Sequence, residues 1–222
     1  MYDFPSLALA TPDGLLAMGG DLSPMRLLAA YRRGIFPWFN EEDPILWWSP
    51  DPRMVLRPQH FKLSKSLAKV LRTGGFEVRV DTAFSQVMRA CAAPKVNRES
   101  TWISEDIVSG YGGLHALGYA HSVETWYQGE LVGGLYGVAI GRMFYGESMF
   151  CAMSNASKVA MAHLCAQLTR WDFGMIDCQM NTAHLASLGA ADIPREAFIR
   201  ELTKLISRPP VDCWQFDADL FT

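Results

Sequence analysis

Between Ala120 and Gln179 the sequence sets out three alternating apolar segments joined by two tight turns, then an amphipathic helix and a further strand. This block limits the fold more than any other part of the chain. Ala120 to Tyr127 alternates, Gln128-Gly129-Glu130 supplies a hairpin turn, and Leu131 to Ile140 follows. Gly141-Arg142 turns again and Met143 to Phe150 returns. Ser154 or Asn155 is placed to cap a helix reaching Trp171, with Ala156, Ala160, Leu164, Leu168 and Trp171 as an inner stripe widened by Met161 and Cys165. Gly174 then precedes a short strand, Met175 to Gln179. Strands and helices in this order predict an α+β fold: a mixed, mainly antiparallel sheet flanked by helices.

The rest of the chain is read around that block. Residues 1–58 are turn-rich and aromatic and are expected to form a small N-terminal domain, leaving 59–222 as the larger one. Ser23-Pro24 starts a helix to Arg33, which Gly34 stops. Pro44 to Pro52 is extended, since residues before proline avoid the helical region. Ser64 caps a helix from Lys65 to Arg72. The spacing puts Lys62, Lys65, Lys69 and Arg72 on one face and Leu63, Leu67, Val70 and Leu71 on the other. Phe76 to Val80 alternates as a strand, Ala83 to Cys91 and Ser104 to Leu117 are helical, and a last helix spans Arg195 to Ser207.

Half of the 222 residues are hydrophobic and 19% are charged, so a sizeable core can be buried. The net charge of −3 speaks against a general nucleic-acid binder. Its distribution does not: residues 52–80 hold seven basic side chains against Glu77 alone. The uninterrupted stripe Lys62, Lys65, Lys69 and Arg72 is therefore read as a phosphate-contacting ridge, with a plain solvated helix face as the alternative. Five cysteines without a Cys-x-x-Cys pair argue against a disulfide framework or zinc ribbon. The start Met1-Tyr2-Asp3-Phe4-Pro5 lacks a signal sequence's basic opening, and no apolar run reaches the ~18–20 residues of a membrane span. A cytoplasmic protein without membrane contact is expected.

Three stretches concentrate unusual residues. They are Arg33 to Phe39 with Trp47-Trp48-Ser49-Pro50, then Phe144-Tyr145-Gly146-Glu147-Ser148-Met149-Phe150, and Ile176-Asp177-Cys178-Gln179 continuing through His184 to Ala190. With Gly14 to Pro24, Thr101-Trp102-Ile103 and Leu131-Val132-Gly133-Gly134, these resemble the leucyl/phenylalanyl-tRNA–protein transferase family from about residue 13 to 198. The resemblance implies transfer of Leu, Phe and less readily Met from aminoacyl-tRNA to proteins beginning with Arg or Lys, marking them for degradation. It implies no cofactor and no metal. The order of strands, long helix and strand also resembles the GCN5-related N-acyltransferase core, in which the acyl donor lies where the sheet splits.

On residues, the resemblance places Asp177 and Gln179 at the reaction centre. They stand at i and i+2 of a strand and are expected on one face, with Cys178 on the other. Glu147 is a second candidate, for the donor's α-amino group or the acceptor's cationic side chain. Phe144, Met149 and Ile176 match pocket positions, Leu135, Leu164 and Leu168 extend the apolar lining, and Trp38 and Trp102 match tryptophans around the terminal adenosine. Some relatives carry asparagine where Thr182 stands, so that role is not transferred.

The chemistry makes modest demands. An aminoacyl ester is already activated, and roughly a tenth of an α-amino group with pKa ~7.7–8 is neutral at pH 7. Orientation, worth ~10⁵ M or more in effective molarity, outweighs proton transfer worth ~10²–10⁴-fold. Competing readings are a CoA-dependent acetyltransferase, a cysteine hydrolase using Cys178 with His121 or His184, and a non-catalytic RNA-binding module. The first wants a glycine-rich turn before the long helix, and Cys151-Ala152-Met153-Ser154-Asn155 has no glycine.

Overall fold

A computed structural model describes residues 3–93 and 101–221; Met1 and Tyr2 of the N-terminal stretch read above lie outside them. The chain opens with β1 (Leu15–Met18), α1 (Pro24–Tyr31), β2 (Phe36–Pro37) and β3 (Leu46–Trp48), and these strands form a small antiparallel sheet in the order β1-β3-β2. Helix α1 stops at Tyr31, short of the expected Arg33. Next come β4 (Arg53–Leu56), α2 (Lys65–Thr73), β5 (Glu77–Val80), α3 (Phe84–Ala92) and α4 (Glu105–Ala116). The meander is β6 (Ala120–Tyr127), β7 (Glu130–Ile140) and β8 (Met143–Cys151), followed by α5 (Ala156–Arg170) and β9 (Met175–Gln179). The chain finishes with α6 (Ala183–Ser187), β10 (Ala191–Ile193), α7 (Arg195–Ile206) and an irregular strap to Phe221.

The larger sheet has seven strands in the order β10-β4-β9-β8-β7-β6-β5. Every pairing is antiparallel except β8 with β9, which α5 connects. The α+β expectation and the mixed, mainly antiparallel sheet are therefore met. The β6–β7 hairpin closes through Gln128 and Gly129, with φ of 51° and 84°. Two successive left-handed residues match the twist of the flanking strands.

Helix α5 buries Ala156, Ala160, Met161, Leu164, Cys165 and Leu168 on one side of the sheet, with Met54, Leu56, Leu135, Phe144 and Ile176. Asn155 holds its N-terminus in a left-handed conformation, and its side chain makes no capping bond. On the other side Tyr31, Phe84, Tyr111, Tyr136 and Phe198 share one apolar cluster with Phe4, Leu16 and Trp47 of the N-terminal segment. Residues 53–56 lie well inside the seven-stranded sheet, although the expected N-terminal domain ran to residue 58.

Ser64 caps α2 by accepting from the Leu67 N–H at 3.1 Å. Leu67 is buried against Val159 and Ala162, while Val70 and Leu71 pack beside it. Two details depart from the expected two-faced helix. Leu63 is 43% exposed, and Lys62 lies before the helix, its N–H held at 2.9 Å by the Leu188 carbonyl. The shared helical face is thus Lys65, Lys69 and Arg72, all exposed. No helix of the described residues is long and apolar enough to cross a membrane.

Candidate active site

Strands β8 and β9 pair from Met143 with Met175 as far as Tyr145 with Asp177, and then part. A cavity of about 420 Å³ occupies the gap, within the ~300–1,000 Å³ typical of small-molecule pockets. Gly146 to Met149 form one wall, Gln179 and Met180 another, and Trp38 and Trp102 also line it.

Two bulges shape this split. In β8, Ser148 pairs with Tyr136 and Gly146 with Gly137, so Glu147 is the extra residue. In β9, Gln179 pairs with Met54 and Asp177 with Val55, so Cys178 is the extra one. Gln179 itself has a φ of 59°. A bulge breaks alternation and re-aims side chains. This corrects the expected facing: Ile176, Cys178 and Gln179 line the cavity, whereas Asp177 does not.

Asp177 is instead fully buried against Arg53, which is also fully buried. Arg53 Nε donates to Asp177 Oδ1 at 2.7 Å and Nη2 to Oδ2 at 2.6 Å. Its Nη1 donates to the Gly34 carbonyl at 3.1 Å, and the guanidinium lies 4.7 Å from the ring centres of both Phe36 and Phe198. The Gln179 N–H donates to Asp177 Oδ1 at 2.9 Å. The carboxylate therefore fixes the unusual backbone of Gln179 from behind, without reaching the cavity. An arginine opening the apolar run Met54-Val55-Leu56 was the sequence signal for a buried partner, and it was missed.

On the cavity side, Gln179 Nε2 donates to Glu147 Oε1 at 3.3 Å, and the Tyr111 hydroxyl donates to Oε2 at 2.9 Å. The Tyr31 hydroxyl bonds to that of Tyr111. Burial pushes both tyrosines well above their ordinary range, so they stay neutral and able to donate. Burial also lifts Glu147 to about 7, against a smaller downward pull from Tyr31 and Tyr111. The folded protein thus keeps a proton on Glu147 up to about pH 7, while an unfolded chain releases it near 4.5. Stability from this group is complete below the unfolded value and is lost as pH rises through about 7. Glu147→Gln should therefore gain on the parent protein between about pH 5 and 8, by roughly 1–3 kcal/mol at the upper end. Urea titrations across that range check this; a difference independent of pH would refute it.

Leu135, Phe144, Met149, Leu164 and Ile176 all line the cavity, whereas Leu168 does not. One turn beyond Leu164 on α5, it is sealed in the core. Trp38 is 39% exposed and meets Trp48 edge-on at 5.8 Å. Met161, Tyr136 and Met180 join the lining without having been singled out. Thr182 and His184 also line it; Thr182 Oγ caps α6 by accepting from the Leu185 N–H at 3.2 Å.

Cys178 faces the cavity, yet burial pushes its thiol up, away from thiolate formation. Its Sγ contacts the Ile176 carbonyl at 3.8 Å, and His121 is bound to Asp81 instead, Nδ1 to Oδ2 at 2.7 Å. Among the described residues neither His121 nor His184 is hydrogen-bonded to Cys178, although His184 lines the same cavity. Among the described residues there is no group of His, Cys, Asp or Glu arranged to hold a metal ion. Lys62, Lys65, Lys69 and Arg72 make no ion pair among the described residues.

A family model described as "Leucyl/phenylalanyl-tRNA protein transferase" matches residues 55–203, and one described as the N-terminal domain of that transferase matches residues 20–51. The leucyl/phenylalanyl-tRNA–protein transferase of Nitrosospira multiformis is 63% identical over 219 residues, covering 97% of this chain and 94% of that one. That of Thiobacillus denitrificans is 61% identical over 212 residues, covering 95% and 93%. Among solved structures, a GCN5-related N-acetyltransferase from Kribbella flavida aligns with a TM-score of 0.36 and 10% identity, over 73% of this chain and 57% of that one.

Proposed function

This chain belongs to the leucyl/phenylalanyl-tRNA–protein transferase family, and on that premise we propose how its cleft works and what it accepts. It is an aminoacyltransferase that moves an aminoacyl group from tRNA to a protein. The carrying observation is the split between β8 and β9: an apolar cavity that ends at a polar pair, Glu147 and Gln179.

In this reading the donor's leucyl, phenylalanyl or, less readily, methionyl side chain enters among Leu135, Phe144, Met149, Leu164 and Ile176. Each buried methylene is worth about 0.8 kcal/mol, so burial alone favours these over alanine. Met149 adapts to both branched and aromatic guests. Trp38 and Trp102 stack on the terminal adenosine, at ~1–3 kcal/mol per stacked base. Leu168 acts only by supporting Leu164. The acceptor's N-terminal arginine or lysine presents its α-amino nitrogen to the ester carbonyl carbon. A carbon–nitrogen bond forms, the ester bond between the carbonyl carbon and the ribose oxygen breaks, and the amine's proton passes to that oxygen. Gln179 orients the ester, and Glu147 holds an ammonium group in its ionised form, which the arriving cation favours over the protonated one. Asp177 and Arg53 position Gln179, and Asp177, bound twice by Arg53, does not take the proton. The acceptors are marked for degradation, and the enzyme works as a cytoplasmic monomer without cofactor. Two parts, residues 1–58 and 59–222, belong to the same proposal, with β4 contributing to the larger sheet.

The test is transfer of radiolabel from leucyl-, phenylalanyl- and isoleucyl-tRNA to a peptide beginning with arginine, with acetyl-CoA as an alternative donor. Leucyl and phenylalanyl transfer with isoleucyl rejected is expected; acetylation without aminoacyl transfer would overturn the reading. The basic ridge has its own test. Neutralising Lys62, Lys65, Lys69 and Arg72 together should flatten the logarithmic salt dependence of tRNA binding by about 0.7–0.9 for each tRNA phosphate the ridge no longer neutralises. An unchanged slope would remove the ridge from the tRNA interface.

A further inference from the structure

Residues beyond Ile206 form an irregular strap that crosses the sheet on the α5 side and lies outside the stretch matched by the family model. Near its start Arg208 Nη2 pairs with Asp172 Oδ2 at 2.5 Å, and further on it is fastened to α5 by Gln167 and Arg170. Gln167, fully buried on α5, accepts from the Asp217 N–H at 2.8 Å and donates to Asp217 Oδ2 at 3.3 Å. Arg170 Nη1 holds Asp217 and Asp219 at 2.8 and 2.5 Å. Between this anchor and α7 the strap inserts Trp214.

The indole is closely surrounded. It stacks on His121 at 3.8 Å with planes 8° apart, and meets Trp171 at 5.1 Å and Phe173 at 6.1 Å edge-on. It also approaches Phe144, whose ring centre is 5.9 Å away. Phe144 lines the cavity and is fully buried. Its ring also lies over Gly137, where a Cβ would come within 2.5 Å of it. The ring that forms part of the cavity wall is thus fixed by a glycine on β7 and by the strap's tryptophan.

We infer that the C-terminal strap, through Trp214, sets the depth of the donor side-chain cavity and so the preference between leucyl and phenylalanyl donors. Trp214 is a positioning residue: it reaches the donor only through Phe144. The inference rests on the transfer reading above. Close packing leaves Phe144 nowhere to retreat while the indole is present. Without it the ring relaxes into the vacated volume and the cavity deepens. The shorter leucyl side chain then sits loosely, while the longer phenylalanyl one still fills the space.

The experiment measures kcat/KM for leucyl- and phenylalanyl-tRNA with the parent, Trp214→Ala, Trp214→Phe and Arg170→Ala proteins. Trp214→Ala is expected to raise the phenylalanyl-to-leucyl ratio about tenfold, the discrimination that a mismatch of one methylene gives in an apolar pocket. Trp214→Phe should restore most of the parent ratio, and Arg170→Ala, which loosens the strap outside the cavity, should shift it in the same direction as Trp214→Ala. General loss of stability lowers both rates and leaves the ratio alone. Should Trp214→Ala fail to fold, a parent-like ratio in Arg170→Ala overturns the inference, as does an unchanged ratio in a folded Trp214→Ala. A parent protein that transfers neither residue refutes the transfer reading instead.

Discussion

Arg53→Met is expected to cost about 3–5 kcal/mol of folding stability, because it strands the Asp177 carboxylate in a site from which water is excluded. Both side chains are fully buried and joined by two hydrogen bonds. Surface ion pairs of this protein, such as Arg200 with Glu196, are each expected to contribute about 1 kcal/mol or less. Asp177→Leu should cost as much as Arg53→Met, leaving the guanidinium uncompensated. The double variant should recover much of the loss, since replacing both partners of a buried pair by apolar groups is often neutral. Transfer should not recover with it. In the double variant the Gln179 N–H has no acceptor, and the left-handed turn that presents the amide loosens. Urea unfolding of the four proteins gives the cycle. An Arg53→Met protein within about 1 kcal/mol of the parent would show that the pair is not what holds β4 to β9.

Gln179→Asn should keep the fold and lose about 10²-fold in turnover, in the range found when one preorganised donor is removed from a reaction centre. Asparagine tolerates the left-handed backbone, so the fold is not taxed. Its amide is one methylene shorter and no longer reaches Glu147 Oε1, already 3.3 Å from the glutamine. The KM for leucyl-tRNA should change little, because the apolar cavity and the tryptophans proposed to seat the donor are untouched. Equal losses in KM and turnover would assign Gln179 to binding instead of to orientation of the reacting atoms.

Much of this architecture was legible beforehand. The meander, the long helix and β9 were readable because apolar periodicity and left-handed turn residues are local signals, and Gln128-Gly129 and Gly174 marked their boundaries. The facing of β9 was not readable. One inserted residue leaves apolar alternation almost unchanged in the sequence, yet it turned Cys178 toward the cavity and left Asp177 in the core. Arg53 and Asp177 are 124 positions apart, so the arginine opening an apolar run signals a buried partner but no local pattern says which residue it is. Leu168 shares a helical stripe with Leu164, and only the end of the cavity separates lining from core. Lys62 precedes α2 and so does not share the helical face of Lys65, Lys69 and Arg72, because the Ser64 cap starts the helix after it.

Strand β4 has a consequence for how the molecule is made. It pairs with β9 on one side and β10 on the other, partners synthesised more than a hundred residues later. Pairings that distant in sequence are slow to form, and until β9 has been made the chain has no partner for the Arg53 anchor. The cleft is therefore expected to form late in folding, and a chain terminated before β9 carries the meander and both tryptophans but lacks Gln179 and the Asp177 that holds it.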